Sequence, residues 1–120
     1  MDRPLNPAAT CVVTHDVGSV ELADWGPLPE ATAHAMPTAG QILWSGANGE
    51  ELGIWRCAEG PSRWHFETNE SIVLLEGSMT ITRDGEEAVS MAVGDCAVFP
   101  KGWFGTWVIH EPILKLYTVF

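Results

Sequence analysis

Residues Glu70 to Gly77 read Glu-Ser-Ile-Val-Leu-Leu-Glu-Gly, a short and mostly apolar run that is closed by a glycine. A second run of the same kind, Gly94-Asp-Cys-Ala-Val-Phe-Pro-Lys-Gly102, follows later in the chain. Apolar runs of this length between turn residues are typical of β-strands rather than helices. Two strands cannot hold a core alone, so the sequence predicts that further strands complete a small barrel around this pair.

Other short runs alternate with turn residues on both sides of this pair. Asn48-Gly49 is a strong turn signal, and it lies between the strand candidates Gln41–Ser45 and Leu52–Ala58. In the run from Arg63 to Glu67, period two places Arg63, His65 and Glu67 on one face and Trp64 and Phe66 on the other. About eight to ten short strands with frequent turns predict an all-β antiparallel sandwich or barrel.

The length of 120 residues fits one domain with one hydrophobic core. Three prolines between Asp24 and Gly40 prevent a continuous helix or a central strand. We therefore expect residues 1–40 to form an N-terminal arm and a segment that wraps the outside. Residues 41–120 are expected to form the barrel.

The charge balance excludes two classes of partner. Sixteen acidic groups against six basic groups give a formal net charge of −10. A surface of that sign repels phosphate backbones and anionic lipid head groups, so neither nucleic acid nor membrane is an expected partner. The N-terminus lacks the pattern of a signal peptide, and no stretch approaches the roughly 18 apolar residues of a spanning helix. The predicted location is cytoplasmic.

The order of several motifs resembles the cupins, and more narrowly the small single-domain cupins related to (S)-ureidoglycine aminohydrolase. The motifs are Glu70 through Gly77, Gly94-Asp95, Pro100-Lys-Gly102, Gly105-Thr-Trp107 and Lys115-Leu-Tyr117. The resemblance covers roughly residues 40 to 120. It implies a double-stranded β-helix, the jelly-roll barrel also called RmlC-like, which agrees with the strand pattern. It also implies a homodimer, because cupins often dimerise.

The same resemblance bears on metal binding. Metal-binding cupins carry two histidines one residue apart, then a glutamate, then a glycine seven residues later, and a further histidine in a second motif. Glu70 and Gly77 keep this spacing and His65 occupies the second histidine position, but the other histidine positions hold Arg63 and Gly105. The resemblance thus makes His65 and Glu70 candidate metal ligands.

One imidazole and one carboxylate are too few protein donors for a stable Mn, Fe, Ni or Zn site. The arginine that replaces the first histidine stays protonated and cannot donate a lone pair. The sequence therefore favours no tightly bound metal. The alternative is a divalent ion whose ligand set is completed by a residue outside the motifs.

Arg63, His65 and Glu70 share one predicted face, and together they would form a polar floor that grips an anionic or carboxylate ligand. In an enzyme, His65 or Glu70 would move the proton. Two plainer interpretations stay open. His65 then only forms hydrogen bonds in the barrel mouth, and Glu70 forms a structural ion pair with Arg63.

Aromatic residues are the candidate walls of a ligand cavity. Trp55, Trp64, Trp107 and Tyr117 are candidate ligand-binding residues, although packing in the core or at the rim is the alternative for each tryptophan. Lys115 shares a strand face with Tyr117, so either can reach the cavity. A solvated lysine is the default interpretation.

Three functions remain open. The first is a small-molecule pocket at the barrel mouth that hydrolyses or isomerises a small polar metabolite, either nitrogen-containing or a carboxylate, as the ureidoglycine aminohydrolase resemblance implies. The second is a metal-free ligand-binding or sensory cupin without catalysis. The third is a structural dimerisation module, because an exposed strand edge is a template for pairing two subunits.

Overall fold

A computed structural model describes residues 9–120, and its regular structure is almost entirely β. A short 3-10 helix at Val17–Ser19 precedes the strands, and no helix of the described chain is long and apolar enough to cross a membrane. The strands lie at Ala23–Pro27 (β1), Pro37–Ser45 (β2), Glu51–Cys57 (β3), Gly60–His65 (β4), Glu70–Arg83 (β5), Val89–Met91 (β6), Cys96–Phe99 (β7) and Phe104–Val119 (β8).

All strand pairs are antiparallel, and the eight strands belong to one sheet in the order β1-β2-β3-β8-β5-β6. Strand β4 pairs with β8, and β7 pairs with β5. The long strands β5 and β8 pair from Glu70 opposite Val119 to Arg83 opposite Gly105, so they run through both halves of the barrel. The predicted all-β jelly-roll fold is confirmed.

The glycine that closes the central run lies inside a strand, where β5 bends. Gly77 has a φ of +83°, and a Cβ atom there would collide with the carbonyl oxygen of Pro112 in β8. The pairing register with β8 shifts between Leu74 and Met79, on both sides of this glycine. Register shifts of this kind bend a strand locally. Gly77 therefore lets β5 pass from one half of the barrel to the other without ending.

Aromatic rings fill one end of the interior. The Phe66 ring stacks on Phe99 with centroids 4.9 Å apart, and Trp107, which has no exposed surface, lies 5.1 Å from Phe99. Trp64 packs against Trp107 at 4.5 Å. Trp64 is only partly buried, and it separates this aromatic cluster from the cavity described below.

The sheet begins before residue 41. Strand β1 and the first residues of β2 lie in the segment that was expected to wrap the outside, so the predicted boundary falls within β2. Prolines are compatible with these strands because β1 lies at the edge of the sheet and Pro27 and Pro37 stand at strand ends. Between β1 and β2 the chain crosses to β4, where Ala31 pairs with Ser62. Residues 1–8 of the predicted arm lie outside the described residues.

Candidate ligand-binding site

A cavity of about 370 Å³ lies between the β1–β2 connection and strands β3, β5 and β8. Its walls include three tryptophans beside proline, leucine and valine, and its polar groups are three glutamates, one threonine, one lysine and one tyrosine. Trp25 stands at the mouth, since its side chain is 41% exposed and its ring lies over Gly40, where a Cβ atom would collide with it. Pockets with apolar walls and a few converging polar groups are typical small-molecule sites.

Lys115 of β8 is buried in this cavity, with 4% of its surface exposed. It faces inward together with Tyr117, two residues further along β8, and it lies directly opposite Trp55 of β3 and Leu74 of β5. Its Nζ lies 2.8 Å from Oε2 of Glu70, whose side chain is 15% exposed. The same Nζ lies 4.4 Å from the centre of the Trp55 ring. The expectation of a solvated lysine is wrong.

Tyr117 donates a second short hydrogen bond inside the cavity, at 2.6 Å from its hydroxyl to Oε2 of Glu51. Burial, followed by the bond to Glu51, raises the pKa of Tyr117 well above its ordinary value, so the hydroxyl stays protonated as a donor. Gly53 lies directly opposite Tyr117, and a Cβ atom at Gly53 would collide with the hydroxyl. The missing side chain at Gly53 therefore leaves the space that the Tyr117 hydroxyl occupies.

Glu30 enters the cavity from the β1–β2 connection. The connection is tied to β4, because the backbone amide of Arg63 donates to the Glu30 carbonyl oxygen at 3.0 Å. The carboxylate oxygen Oε2 of Glu30 is buried and has no hydrogen-bond partner in the described part of the chain. Glu30 thus differs from Glu51 and Glu70, each of which accepts a hydrogen bond from a side chain of β8.

Three of the four aromatic residues predicted to bind a ligand line this cavity. Trp55 and Trp64 meet edge to face at 6.3 Å, and Tyr117 lies beside them. The indole nitrogen of Trp64 donates to the Ser62 hydroxyl at 2.8 Å, which fixes the ring. Trp107 does not line the cavity; it lies behind Trp64, fully buried. Its indole Nε1 also lacks a partner among residues 9–120.

Arg63 and His65 lie outside the barrel, which corrects the predicted polar floor. The alternation along β4 is as predicted, but Ser62 and Trp64 face the interior while Arg63 and His65 are exposed. Both side chains flank Phe104: the Arg63 guanidinium lies 4.8 Å and the His65 ring 5.3 Å from its ring centre. The physical reason is that Trp64 fills the interior between the cavity and the aromatic cluster.

Arg63 is paired with Asp84 rather than Glu70. Its two terminal nitrogens lie 2.7 and 2.9 Å from the two Asp84 oxygens, and one of them also donates to Thr106. The hydrogen bond from Arg63 lowers the pKa of Asp84 below that of a free aspartate. Neither the predicted grip on an anionic ligand nor the predicted Arg63–Glu70 ion pair is present in this arrangement.

The divalent metal that metal-binding cupins hold, which the sequence left open only as an alternative, does not fit the residues that are present. Glu70 is held by Lys115 inside the cavity, whereas His65 lies on the exposed face of β4. The last ligand position holds Gly105, where even a Cβ atom would collide with the carbonyl oxygen of Thr82. Among residues 9–120 no three His, Cys, Asp or Glu side chains form a group that could hold a metal ion.

A cysteine nucleophile is also unsupported at this site. Cys57 is fully buried and within electrostatic reach of Lys115 and Glu30. Burial is the largest effect on its thiol and raises the pKa of Cys57 to about 11. At neutral pH the group is therefore a thiol, which is a poor nucleophile.

The sequence prediction missed Trp25, Glu30 and Glu51, and it took Lys115 as a solvated lysine by default although this residue shares a face with Tyr117. Lys115 and Tyr117 were visible in the sequence, because both carry a polar group and they share one face of an otherwise apolar strand. Glu30 and Glu51 carried no such signal, because they lie outside the motifs and reach the cavity only through the antiparallel order of β2, β3 and β8.

The family comparison agrees with this architecture. A family model described as the EutQ-like cupin domain matches residues 45–117. No curated protein matches the chain. The matched range includes most of the cavity residues on β3, β4, β5 and β8, whereas Trp25 and Glu30 precede it.

Solved structures show the same fold. A protein of unknown function from the DUF861 family of Pseudomonas syringae pv. tomato superposes with a TM-score of 0.78 at 17% identity, over 85% of this chain and 45% of that protein. The EutQ protein of Clostridium difficile gives 0.72 at 17% identity, over 88% and 83% of the two chains. A DUF861 family protein from Thermotoga maritima gives 0.54 at 33% identity, over 56% and 76%. The chain thus spans less than half of the Pseudomonas protein.

Proposed function

This chain belongs to the EutQ-like cupin domain family, and we propose that it is a small-molecule-binding cupin whose site works without a tightly bound metal ion. The observation that carries the proposal is the buried ion pair of Lys115 and Glu70 in a cavity walled by tryptophans. The ion pair would take the place that a metal holds in metal-binding cupins. Glu70 stands at the motif position of a metal ligand, and it binds the ammonium group of Lys115 instead.

A stability argument favours a functional role for this pair. Two charges that leave water lose solvation, and replacing a buried pair by apolar residues is often neutral or stabilising by about 1–4 kcal/mol. A fold that needed only stability would gain nothing from Lys115 at this position. Charged groups held in a cleft by burial and a specific partner are therefore candidates for a binding or catalytic site.

The binding proposal is tested by screening a library of small polar molecules against the ¹⁵N-labelled chain by NMR. We expect the shifted signals to include the indole N–H groups of Trp55 and Trp64 and the amides around Lys115. Val119→Trp, at a cavity-lining position, is expected to abolish binding by filling the space. The matched control is Val98→Trp, because Val98 is 58% exposed and does not line the cavity. Binding that survives Val119→Trp contradicts the assignment of the site.

The second candidate is catalysis of proton transfer at the same cavity. The observation that favours it is the 2.8 Å contact between Lys115 Nζ and Glu70 Oε2, since one group is an acid and the other a base. Glu70 would take a proton from one atom of the bound molecule while Lys115 gives one to another atom, and the pair would then exchange the proton directly. This balance suits isomerisation of a nitrogen-containing metabolite, and hydrolysis related to ureidoglycine aminohydrolase would need a bound water as well. His65 has no place in it, because it lies outside the cavity.

We also propose the homodimer, at the β1 edge. Strand β1 pairs only with β2 among the described strands, and Ile42 and Trp44 of β2 are 46% and 42% exposed. Light scattering coupled to gel filtration is expected to give twice the 13.1 kDa of one chain. Trp44→Glu is expected to shift that mass to the monomer, whereas Val89→Glu, at another exposed position, leaves it unchanged. A wild-type monomer at micromolar concentration contradicts this proposal. The cytoplasmic location remains a prediction.

A further inference from the structure

One polar atom of the cavity has no partner within the described fold, and that atom is Oε2 of Glu30. The other two cavity glutamates are satisfied by the chain itself: Lys115 binds Glu70 at 2.8 Å, and Tyr117 donates to Glu51 at 2.6 Å. Buried acceptors almost always have a donor, and an unpaired acceptor costs more when it is a carboxylate than when it is a neutral group. Oε2 itself has almost no accessible surface, so a donor that the ligand brings reaches this oxygen once the Glu30 side chain turns it towards the cavity that the residue lines.

The structure assigns the chemical class of that ligand: we propose a small organic cation that carries N–H groups, such as an ammonium or amidinium compound, bound by Glu30. This inference rests on the proposed binding function. A carboxylate oxygen accepts the ligand N–H through a charge-assisted hydrogen bond, and the faces of the tryptophans contact the rest of the cation.

Lys115 shows how these walls hold an ammonium group. Its Nζ is bound by one glutamate and lies 4.4 Å from the ring centre of Trp55 and 5.5 Å from that of Tyr117. The combination of one carboxylate and adjacent aromatic faces therefore already holds one cation in this interior. Glu30 lines the same cavity as Trp25 and Trp64, and its Oε2 has no partner among the described residues.

The charge balance of the cavity excludes an anion as the preferred ligand. Glu30, Glu51 and Glu70 face a single lysine, and no other charged residue of the described chain lines this space. A cation reduces the formal imbalance, whereas an anion increases it. The arginine that was expected to bind a carboxylate ligand is paired with Asp84 on the outside. The formal net charge of −10 also attracts cations towards the protein at long range.

Three probes that share one benzyl group test the assignment: benzylammonium, benzyl alcohol and phenylacetate, titrated by NMR at constant ionic strength. We expect benzylammonium to bind most tightly and phenylacetate most weakly. Glu30→Gln keeps the shape of the side chain and removes its charge, so it is expected to weaken benzylammonium binding by about 10- to 100-fold, as loss of one charge-assisted hydrogen bond does. Binding of benzyl alcohol is expected to stay unchanged, which shows that the variant cavity is intact.

The matched control is Glu87→Gln, which removes the same charge from an exposed position that does not line the cavity. It is expected to leave all three affinities unchanged. Equal affinities for the three probes in the wild type overturn the cation assignment alone, and so does an unchanged benzylammonium affinity in Glu30→Gln, which would mean that the carboxylate holds only water. If no probe and no member of the polar library binds, the proposed function fails as well.

Discussion

Lys115→Met is expected to lower the free energy of unfolding by about 3–5 kcal/mol, which is the range for breaking a buried ion pair by removing one partner. Methionine keeps the unbranched stem of the lysine but lacks the Nζ that lies 4.4 Å from the centre of the Trp55 ring, so the cation–π contact is lost together with the ion pair. The loss arises because Glu70, whose side chain is 15% exposed, stays in the cavity without its cation. Urea denaturation followed by tryptophan fluorescence and circular dichroism measures the difference.

Two controls separate this effect from a general loss of charge. Lys101→Met removes a lysine from an exposed position and is expected to change stability by less than about 0.5 kcal/mol. The double variant Lys115→Met/Glu70→Leu removes both charges, and we expect it to recover most of the lost stability. If Lys115→Met unfolds at the same urea concentration as the wild type, the pair is not buried as described and the proposed function loses its main support.

Gly77→Ala in β5 is expected to be strongly destabilising. The residue has a φ of +83°, and its Cβ would meet the carbonyl oxygens of Pro112 and Glu111, which are backbone atoms that cannot rotate away. The left-handed conformation costs about 1–2 kcal/mol and overpacking typically adds about 1–3 kcal/mol. Thermal and urea unfolding should therefore show a loss of about 2–5 kcal/mol.

Gly85 provides a matched control for this substitution. It has the same φ of +83°, but a Cβ atom there would meet nothing within 4 Å. Gly85→Ala reports only the cost of the left-handed conformation, so the difference between the two variants measures the collision with β8. Equal losses in both variants would show that β5 and β8 are not packed closely at Pro112.

The fold was predictable because each strand carries its own signal. Alternation along Arg63–His65 and the apolar run from Ile72 to Leu74 were visible before any tertiary contact was known, and the turns are marked by glycine, proline and asparagine. Local chemistry sets these features. The start of the sheet was missed because the prolines of β1 and β2 sit at strand ends, where they cost no ladder hydrogen bond.

The site was less predictable, because alternation gives two faces but does not say which one is inside. The resemblance to metal-binding cupins placed Arg63 and His65 in the interior, yet Trp64 occupies it. The interior prefers the residue that buries the larger apolar area and whose single polar group finds a partner, here Ser62. Glu30 could not be found at all, since its position depends on how the β1–β2 connection crosses to β4.

The long strand β8 has a consequence for how the chain acquires its cavity. It follows every other described strand, it pairs with β3, β4 and β5, and it carries both Lys115 and Tyr117. During translation the earlier strands leave the ribosome first, and their edges stay open until β8 arrives. These pairings join segments that are distant in sequence, so contact order is high and we expect folding to be slow. The cavity with Lys115 and Tyr117 therefore forms only once β8 has joined the sheet.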